Sequence, residues 1–340
     1  MIAALTAAFL FGASTPLAKW LLRHIDSWLL AGLLYLGSGL GLGVYLLIRR
    51  GLNVKFRANE WLWFAGGIAA GGIAAPVLLL WGLSRMPAAG ASLLLNAEGV
   101  FTALLAWFVF RENFDRRLML GMFFIVAGAA ILGWPGDRAR FDSLPPILAI
   151  LGACLAWGLD NNFTRYVAHA DAVWIAAVKG MAAGTVNLGL AFSQGATWPP
   201  LLELGAALAL GLCAYGVSLI LFVVGLRRLG TARTGAYFSV SPFFGAAIAV
   251  AVLGEAVSVQ LMAAGVLMAL GVFIHLSEQH RHLHIHEAIT HEHEHVHDEH
   301  HRHDHAKHVP SGVKHSHLHV HAPLIHIHRH FPDMHHRHDH

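Results

Sequence analysis

Charge is what this chain has least of: Asp, Glu, Lys and Arg make up only 13% of its 340 residues, and 56% are hydrophobic. A soluble globular domain keeps about a quarter of its residues charged, so the composition excludes a soluble globule and implies a membrane protein. Cysteine is almost as scarce. Cys154 and Cys213 both lie in apolar stretches, which supports neither a disulfide framework nor a thiolate metal site and leaves them as small buried hydrophobes. Histidine is nearly missing from the first 274 residues, where only His24 and His169 occur, yet 25 of the 27 histidines lie between His275 and His340. Two different materials are joined in one chain.

Other motifs are missing too. There is no nucleophile with its base, no phosphate loop and no helical metalloprotease motif, so an enzyme is not expected. Residues 1–279 carry 17 Lys/Arg against 12 Asp/Glu, whereas residues 280–340 carry 6 against 8. The basic balance of the first part has no stripe of basic residues with interleaved aromatics, so it fits loops held on the cytoplasmic side and no nucleic acid is expected as a partner. The apolar run at Met1 lacks a charged leader and a small-residue cleavage site before polar sequence, and it reads as a retained helix.

A bilayer core of about 30 Å needs roughly 20 apolar residues per helix. Ten segments qualify: Ile2–Leu22, Ser27–Ile48, Glu60–Leu83, Ala88–Phe110, Leu118–Trp134, Pro146–Tyr166, Val173–Phe192, Leu201–Leu226, Thr234–Leu253 and Val259–Leu276. With the first residue cytoplasmic, ten Lys/Arg fall in the short loops of that side against four (Arg23, Arg85, Arg138, Arg140) on the other. That bias predicts cytoplasmic N- and C-termini.

Shifting the chain by 143 lays Trp81-Gly-Leu-Ser-Arg-Met-Pro on Val224-Gly-Leu-Arg-Arg-Leu-Gly, Glu112 on Glu255 and Gly128 on Gly271. A shift of 146 lays Phe11-Gly12 on Trp157-Gly158 and Lys19 on Arg165. The expected organisation is a first repeat at 1–134 (helices one to five), a linker at 135–145, a second repeat at 146–277 (helices six to ten) and a tail at 278–340. Five is odd, so the second copy enters from the opposite face. The fold class predicted is an all-α membrane protein with ten transmembrane helices in two inverted five-helix repeats, plus a disordered tail, an architecture that lets one site alternate between two sides of a membrane.

The two copies, with Leu-Phe-Gly-Ala-Ser and Leu-Ala-Trp-Gly early in each and Gly-rich final helices late in each (117–132 and 259–274), resemble a tandem pair of EamA domains of the drug/metabolite transporter superfamily. The resemblance spans nearly all of residues 1–276. It implies ten helices, a bacterial inner (plasma) membrane location and carriage of small organic solutes, usually outward. The family commonly has proline early in the fourth and ninth helices. This chain keeps it at Ser241-Pro242 but has Glu98-Gly99 at the matching point, so a carboxylate stands where a helix kink is expected.

Several intramembrane polar residues are candidates for transport and coupling. Glu98 lies near the middle of its span, where an ionised side chain on an isolated helix costs about 2.5–3.5 kcal/mol on insertion scales. It reads either as a proton-coupling or substrate-amine site, helped by Asn96, or as a fixed ion pair with Lys19 or Lys179. Asp160, Asn161 and Asn162 precede Arg165 by about one turn and match Ser14-Thr15-Pro16 before Lys19. Both segments are expected to line a central polar cavity; the alternative is a solvated helix end with Asp160 and Arg165 near the headgroups. Lys179, in mid-span, needs a partner, and Glu98 is the expected one. The abundant glycines read as packing surfaces that let helices approach closely.

The tail cannot build a core and should be disordered without a ligand. Shifting it by 35 lays 280–305 on 315–340 with 15 of 26 positions identical, including 11 of the 12 histidines of the first copy. Its unit is His-x-His. In an extended chain alternate side chains share a face, so two imidazoles can close on one ion. Zn, Ni, Co and Cu suit neutral imidazole. The candidate ligands are His280, His282, His284, His286, His291, His293, His295, His297, His300, His301, His303 and His305, then His315, His317, His319, His321, His326, His328, His330, His335, His336, His338 and His340. The alternatives are a pH-responsive polycation or expanded low-complexity sequence.

The leading expectation is a secondary transporter exporting a small metabolite or drug-like solute by alternating access, with a cytoplasmic metal-binding tail. A divalent-metal efflux carrier fed by the tail and a membrane-anchored metal sensor or store are the alternatives. The expected partners are a small-molecule solute, the lipid bilayer and divalent metal ions on the tail; a homodimer stays open and no cofactor is required.

Overall fold

The computed structural model describes residues 1–49, 57–109, 116–134, 144–167, 170–229, 234, 237–276, 280–286, 289–295, 315–321 and 324–330. Two units are distinguished, Met1–Ser277 and Glu278–His340.

The first unit is helical. With no water in a bilayer core to bond free peptide groups, a spanning chain must satisfy its backbone internally, and the helix does so within one segment. Each of the ten apolar segments forms one. They are α1 (Ile2–Leu21), α2 (Ser27–Arg49), α3 (Ala58–Arg85), α4 (Ala88–Phe108), α5 (Arg116–Gly133), α6 (Leu144–Val167), α7 (Ala172–Ser193), α8 (Leu201–Gly211 continued by Leu212–Val217 and Ser218–Leu229), α9 (Ser241–Leu253) and α10 (Val259–Leu276). Among the described residues, seven are long and apolar enough to cross a membrane, and the shorter apolar helices lie in α5, α9 and α10. Large apolar side chains such as Ile48, Leu62, Phe123, Leu201 and Phe273 point outward, which suits hydrocarbon. Exposed Trp61, Trp134 and Trp198 lie at or beside helix ends, where indoles favour the membrane–water boundary.

Two pairs of irregularities match to within one residue under the 143-residue shift. α3 is a π-helix over Ile68–Ala74, and α8 is one over Leu212–Val217. α4 is broken by a turn at Leu95 and Asn96 into Ala88–Leu94 and Ala97–Phe108, and turn residues Ser239 and Val240 stand before α9. The expectation that Glu98-Gly99 replaces a kink is therefore corrected. The helix is interrupted without proline, and Asn96 Nδ2 donates to Leu93 O at 2.9 Å across the break.

The two copies interdigitate. α2 packs on α7 and α5 on α10, while α4 packs on α6 as α9 does on α1. The same relation holds between single residues. A Cβ at Gly128 would meet Ala264 and Met268, and one at Gly271 would meet Gly121 and Ile125; these are matched positions. Likewise Gly12 closes on Phe244 and Gly158 on Phe101. The reading of the glycines as packing surfaces holds at α2–α7, where a Cβ on Gly180 would lie 2.7 Å from Gly39 N and 2.8 Å from Tyr35 O. Leu30, Leu33, Leu34, Leu80, Leu83 and Ile150 fill the core between these contacts.

In the second unit, where a disordered segment is expected, four seven-residue strands are described: β1 (His280–His286), β2 (Ile289–His295), β3 (His315–His321) and β4 (Leu324–His330). β1 pairs antiparallel with β4, setting His280, His282 and His284 opposite His330, His328 and His326. β2 pairs antiparallel with β3, setting His291, His293 and His295 opposite His319, His317 and His315. Isolated two-stranded pairings are marginal in water. His297, His300, His301, His303, His305, His335, His336, His338 and His340 fall outside the described residues, as does most of the 135–145 linker.

Overpacking a close backbone contact costs about 1–3 kcal/mol. Gly180→Ala should lower the melting temperature of the detergent-solubilised protein measurably. Gly189→Ala on the same helix, where an added Cβ meets nothing within 4 Å, should leave it unchanged.

Candidate functional site

The middle of α3 sets the site. A π turn shifts the register of backbone bonding and leaves carbonyls that need outside donors. Gly71 O accepts from Tyr35 Oη at 2.6 Å and from Trp157 Nε1 at 3.0 Å, and Gly72 O accepts from Asn187 Nδ2 at 3.1 Å. Side chains of α2, α6 and α7 thus converge on one turn of α3.

Beside that turn Lys179 forms an ion pair with Asp160, the two side chains being 17% and 7% exposed. Thr164 Oγ1 donates to the other carboxylate oxygen, Oδ1, at 3.1 Å. A Cβ on Gly67 would stand 2.8 Å from Asp160 Oδ1, and one on Gly71 would overlap the carboxylate itself. These two glycines therefore make room for a charge, a role that reading them only as helix-packing surfaces overlooked. The expected Lys179–Glu98 pair is corrected: Lys179 takes Asp160, which shares the α3 side of α6, whereas Glu98 faces the next residue round the helix.

That neighbour is Asn161, whose Nδ2 donates to Glu98 Oε1 at 2.9 Å and to Thr102 Oγ1 at 3.2 Å. Asn162 Nδ2 donates to Thr102 O at 3.2 Å and Gly158 O at 2.8 Å. Successive helix residues turn by about 100°, so Asp160 addresses α3 and α7 while Asn161 and Asn162 address α4. Glu98 is half-buried, and Asn161 and Gly99 are exposed. Burial and pairing of Asp160 overturn the solvated-end alternative for it.

The remaining candidates lie apart. Asn96 serves the α4 break and touches Met268 Sδ at 4.0 Å, not the Glu98 carboxylate. Arg165 lies 5.6 Å from the Tyr166 ring centre. Ser14 and Thr15 are buried, and Ser14 Oγ donates to Phe11 O at 2.6 Å. Lys19 donates to Leu83 O at 2.6 Å and Met86 O at 3.1 Å. Leu83 is twelve residues, about 18 Å, along α3 from Gly71, so Lys19 and Glu98 do not meet. Lys19 instead lines an open cavity of about 450 Å³ with Arg85 and Glu255, whose carboxylate accepts from Ala88 N and Ala89 N, both at 2.7 Å, at the start of α4.

Tyr35, Thr102, Trp157, Thr164 and Asn187 join the site without having been singled out. Asn187, fully buried on the same helix as Lys179, carried a signal in its type alone. Among the described side chains of the helical unit, no group of three or more His, Cys, Asp or Glu is placed to hold a metal ion.

Residues 1–134 and 144–277 each match the EamA-like transporter family. An uncharacterized transporter of Methanothermobacter thermautotrophicus is 30% identical over 290 residues, 80% of this chain and 84% of that protein. A probable terminal-alkyne amino-acid exporter of Streptantibioticus cattleyicolor is 27% identical over 61% of this chain and 70% of its own. A probable amino-acid metabolite efflux pump of Salmonella typhimurium is 24% identical over 56% and 68%. A solved crystal structure superposes with a TM-score of 0.61 at 20% identity, covering 81% of this chain and 95% of the other, a likeness in fold. The matches cover both halves of the helical unit, and the chain belongs to the EamA-like transporter family, as a multi-pass membrane transporter.

Proposed function

We propose that this protein exports small organic solutes across a bacterial plasma membrane by alternating access, with both termini cytoplasmic and with a tail that binds transition-metal ions. The observation that carries the reading is the Asp160–Lys179 pair set against the π turn of α3, with the Glu98–Asn161–Thr102 group on the adjoining face of α6. Ionisable groups inside a membrane are costly and mark solute or proton pathways. Breaks and π turns at matched places in both repeats are where transporters build sites near the bilayer midplane.

The site offers an ammonium and two carboxylates within neighbouring turns, which suits a solute bearing both an amine and an acid. The printed names of two relatives, an amino-acid exporter and an amino-acid metabolite efflux pump, support amino-acid-like metabolites as the class. Lys179 would meet the solute carboxylate, Asp160 would release Lys179 as it does so, and Glu98 would take the amine or a coupling proton.

In proteoliposomes loaded with a labelled amino-acid mixture, Glu98→Gln should abolish efflux or flatten its pH dependence, and wild-type transport by this variant contradicts the role. Removing one member of a buried ion pair costs about 3–5 kcal/mol, whereas neutralising both is tolerated better. Lys179→Met should therefore unfold at lower temperature, and Asp160→Asn with Lys179→Met should recover stability while remaining silent in efflux. A stable double variant that still transports makes the pair a structural brace only. Truncation after Ser277 should spare solute efflux; loss of cellular metal tolerance together with loss of efflux would favour the metal-carrier alternative.

A further inference from the structure

The backbone register of the tail brings its two sequence copies together with histidine opposite histidine six times, three in each antiparallel pairing. Residues two apart in a strand share a face, so the three pairs of each sheet form a ladder along one face. Directly opposed positions stand about 4.5–5.5 Å apart at Cβ, and successive pairs on a face are about 6.6–6.8 Å apart along the strand. Two consecutive pairs thus make a small rectangle of four imidazole-bearing positions. A slip of one residue would set histidine against Arg, Leu, Ile, Val, Thr, Glu or Ser instead, because it exchanges the faces of one strand. Neutral imidazole suits Zn, Ni, Co and Cu, and a structural zinc takes four ligands.

We propose that each pairing holds one transition-metal ion between two consecutive histidine pairs, giving two such ions per chain. The inference rests on the reading of the tail as a metal-binding segment and adds where the ions sit. It also singles out one pair in each ladder. His282 with His328, and His293 with His317, are the middle pairs, and every set of two consecutive pairs includes the middle one. Without the middle pair the outer two are about 13 Å apart, too far for four imidazoles to share an ion. Removing an end pair, such as His280 with His330, leaves an intact four-histidine set. Metal binding also links the start of the tail to a segment more than forty residues later, so the ion would fix a pairing that is marginal without it.

The test compares variants that lose equal numbers of histidines. The full-length protein in detergent is dialysed against a chelator-buffered zinc solution, and bound zinc is counted per chain. His282→Ala with His328→Ala should lower the tight stoichiometry by one ion, and His280→Ala with His330→Ala should leave it unchanged. Equal losses in the two variants would overturn the register-based sites while leaving a metal-binding tail. Absence of tight zinc on the wild-type chain would overturn the tail's metal role as well.

Discussion

Taking Asp160 and Lys179 out of water costs several kcal/mol per ion, and their attraction offsets this only where geometry and further hydrogen bonds are good. Much of the helical unit's middle is arranged around that requirement. Gly67 and Gly71 leave no side chain where the carboxylate lies, and Thr164 donates to its second oxygen. The π turn that brings Gly71 to the carboxylate frees carbonyls, which Tyr35, Trp157 and Asn187 then occupy. Four helices are tied by one pair of charges, because each step taken to accommodate it creates a polar group that another helix must satisfy.

The scaffold is symmetric and its chemistry is not. Helix partners, close glycine contacts, π turns and helix breaks all recur between the copies. Asp160, however, matches Ser14, Lys179 matches Leu36, and Glu98 matches Ser241. All three ionisable groups belong to α4, α6 and α7, with uncharged counterparts in α9, α1 and α2. On the proposed reading, a symmetric pair of halves rocks between two equivalent arrangements, while the asymmetric site would give the solute a single place to bind. On the Lys19 side, Glu255 of the second copy closes the start of α4 in the first, so that end is also held by contacts between the copies.

Most of the fold was legible in sequence because a bilayer imposes one strong rule, about twenty apolar residues per crossing. The ten helices follow from that rule, and the duplication follows from Glu112 with Glu255 and Gly128 with Gly271. What hydropathy does not encode is the direction of a side chain. Glu98 and Asp160 were both candidates in the sequence, Asp160 with a solvated helix end as its alternative, yet which of them takes Lys179 depends on a rotation of about 100° between residues 160 and 161. The break at Leu95–Asn96 lacks the proline that usually announces one, whereas its counterpart turn at Ser239–Val240, within one residue of the 143-residue shift, is followed by Pro242. Gly66, Gly67, Gly71 and Gly72 look like any small-residue stripe. That two of them make room for a carboxylate depends on Asp160, some ninety residues distant in sequence. In the tail, the period of two was readable, but the pairing of one copy with the other was not, since several registers align histidines equally well.

The central claim is that the face of α6 bearing Asn161 opens in turn to each side of the membrane. In a chain whose Cys154 and Cys213 are replaced by alanine, Asn161→Cys can be labelled with a membrane-impermeant thiol reagent applied from one side at a time, in vesicles of known orientation. The account predicts labelling from both sides. Labelling from one side only, under every solute and pH condition tried, would contradict it.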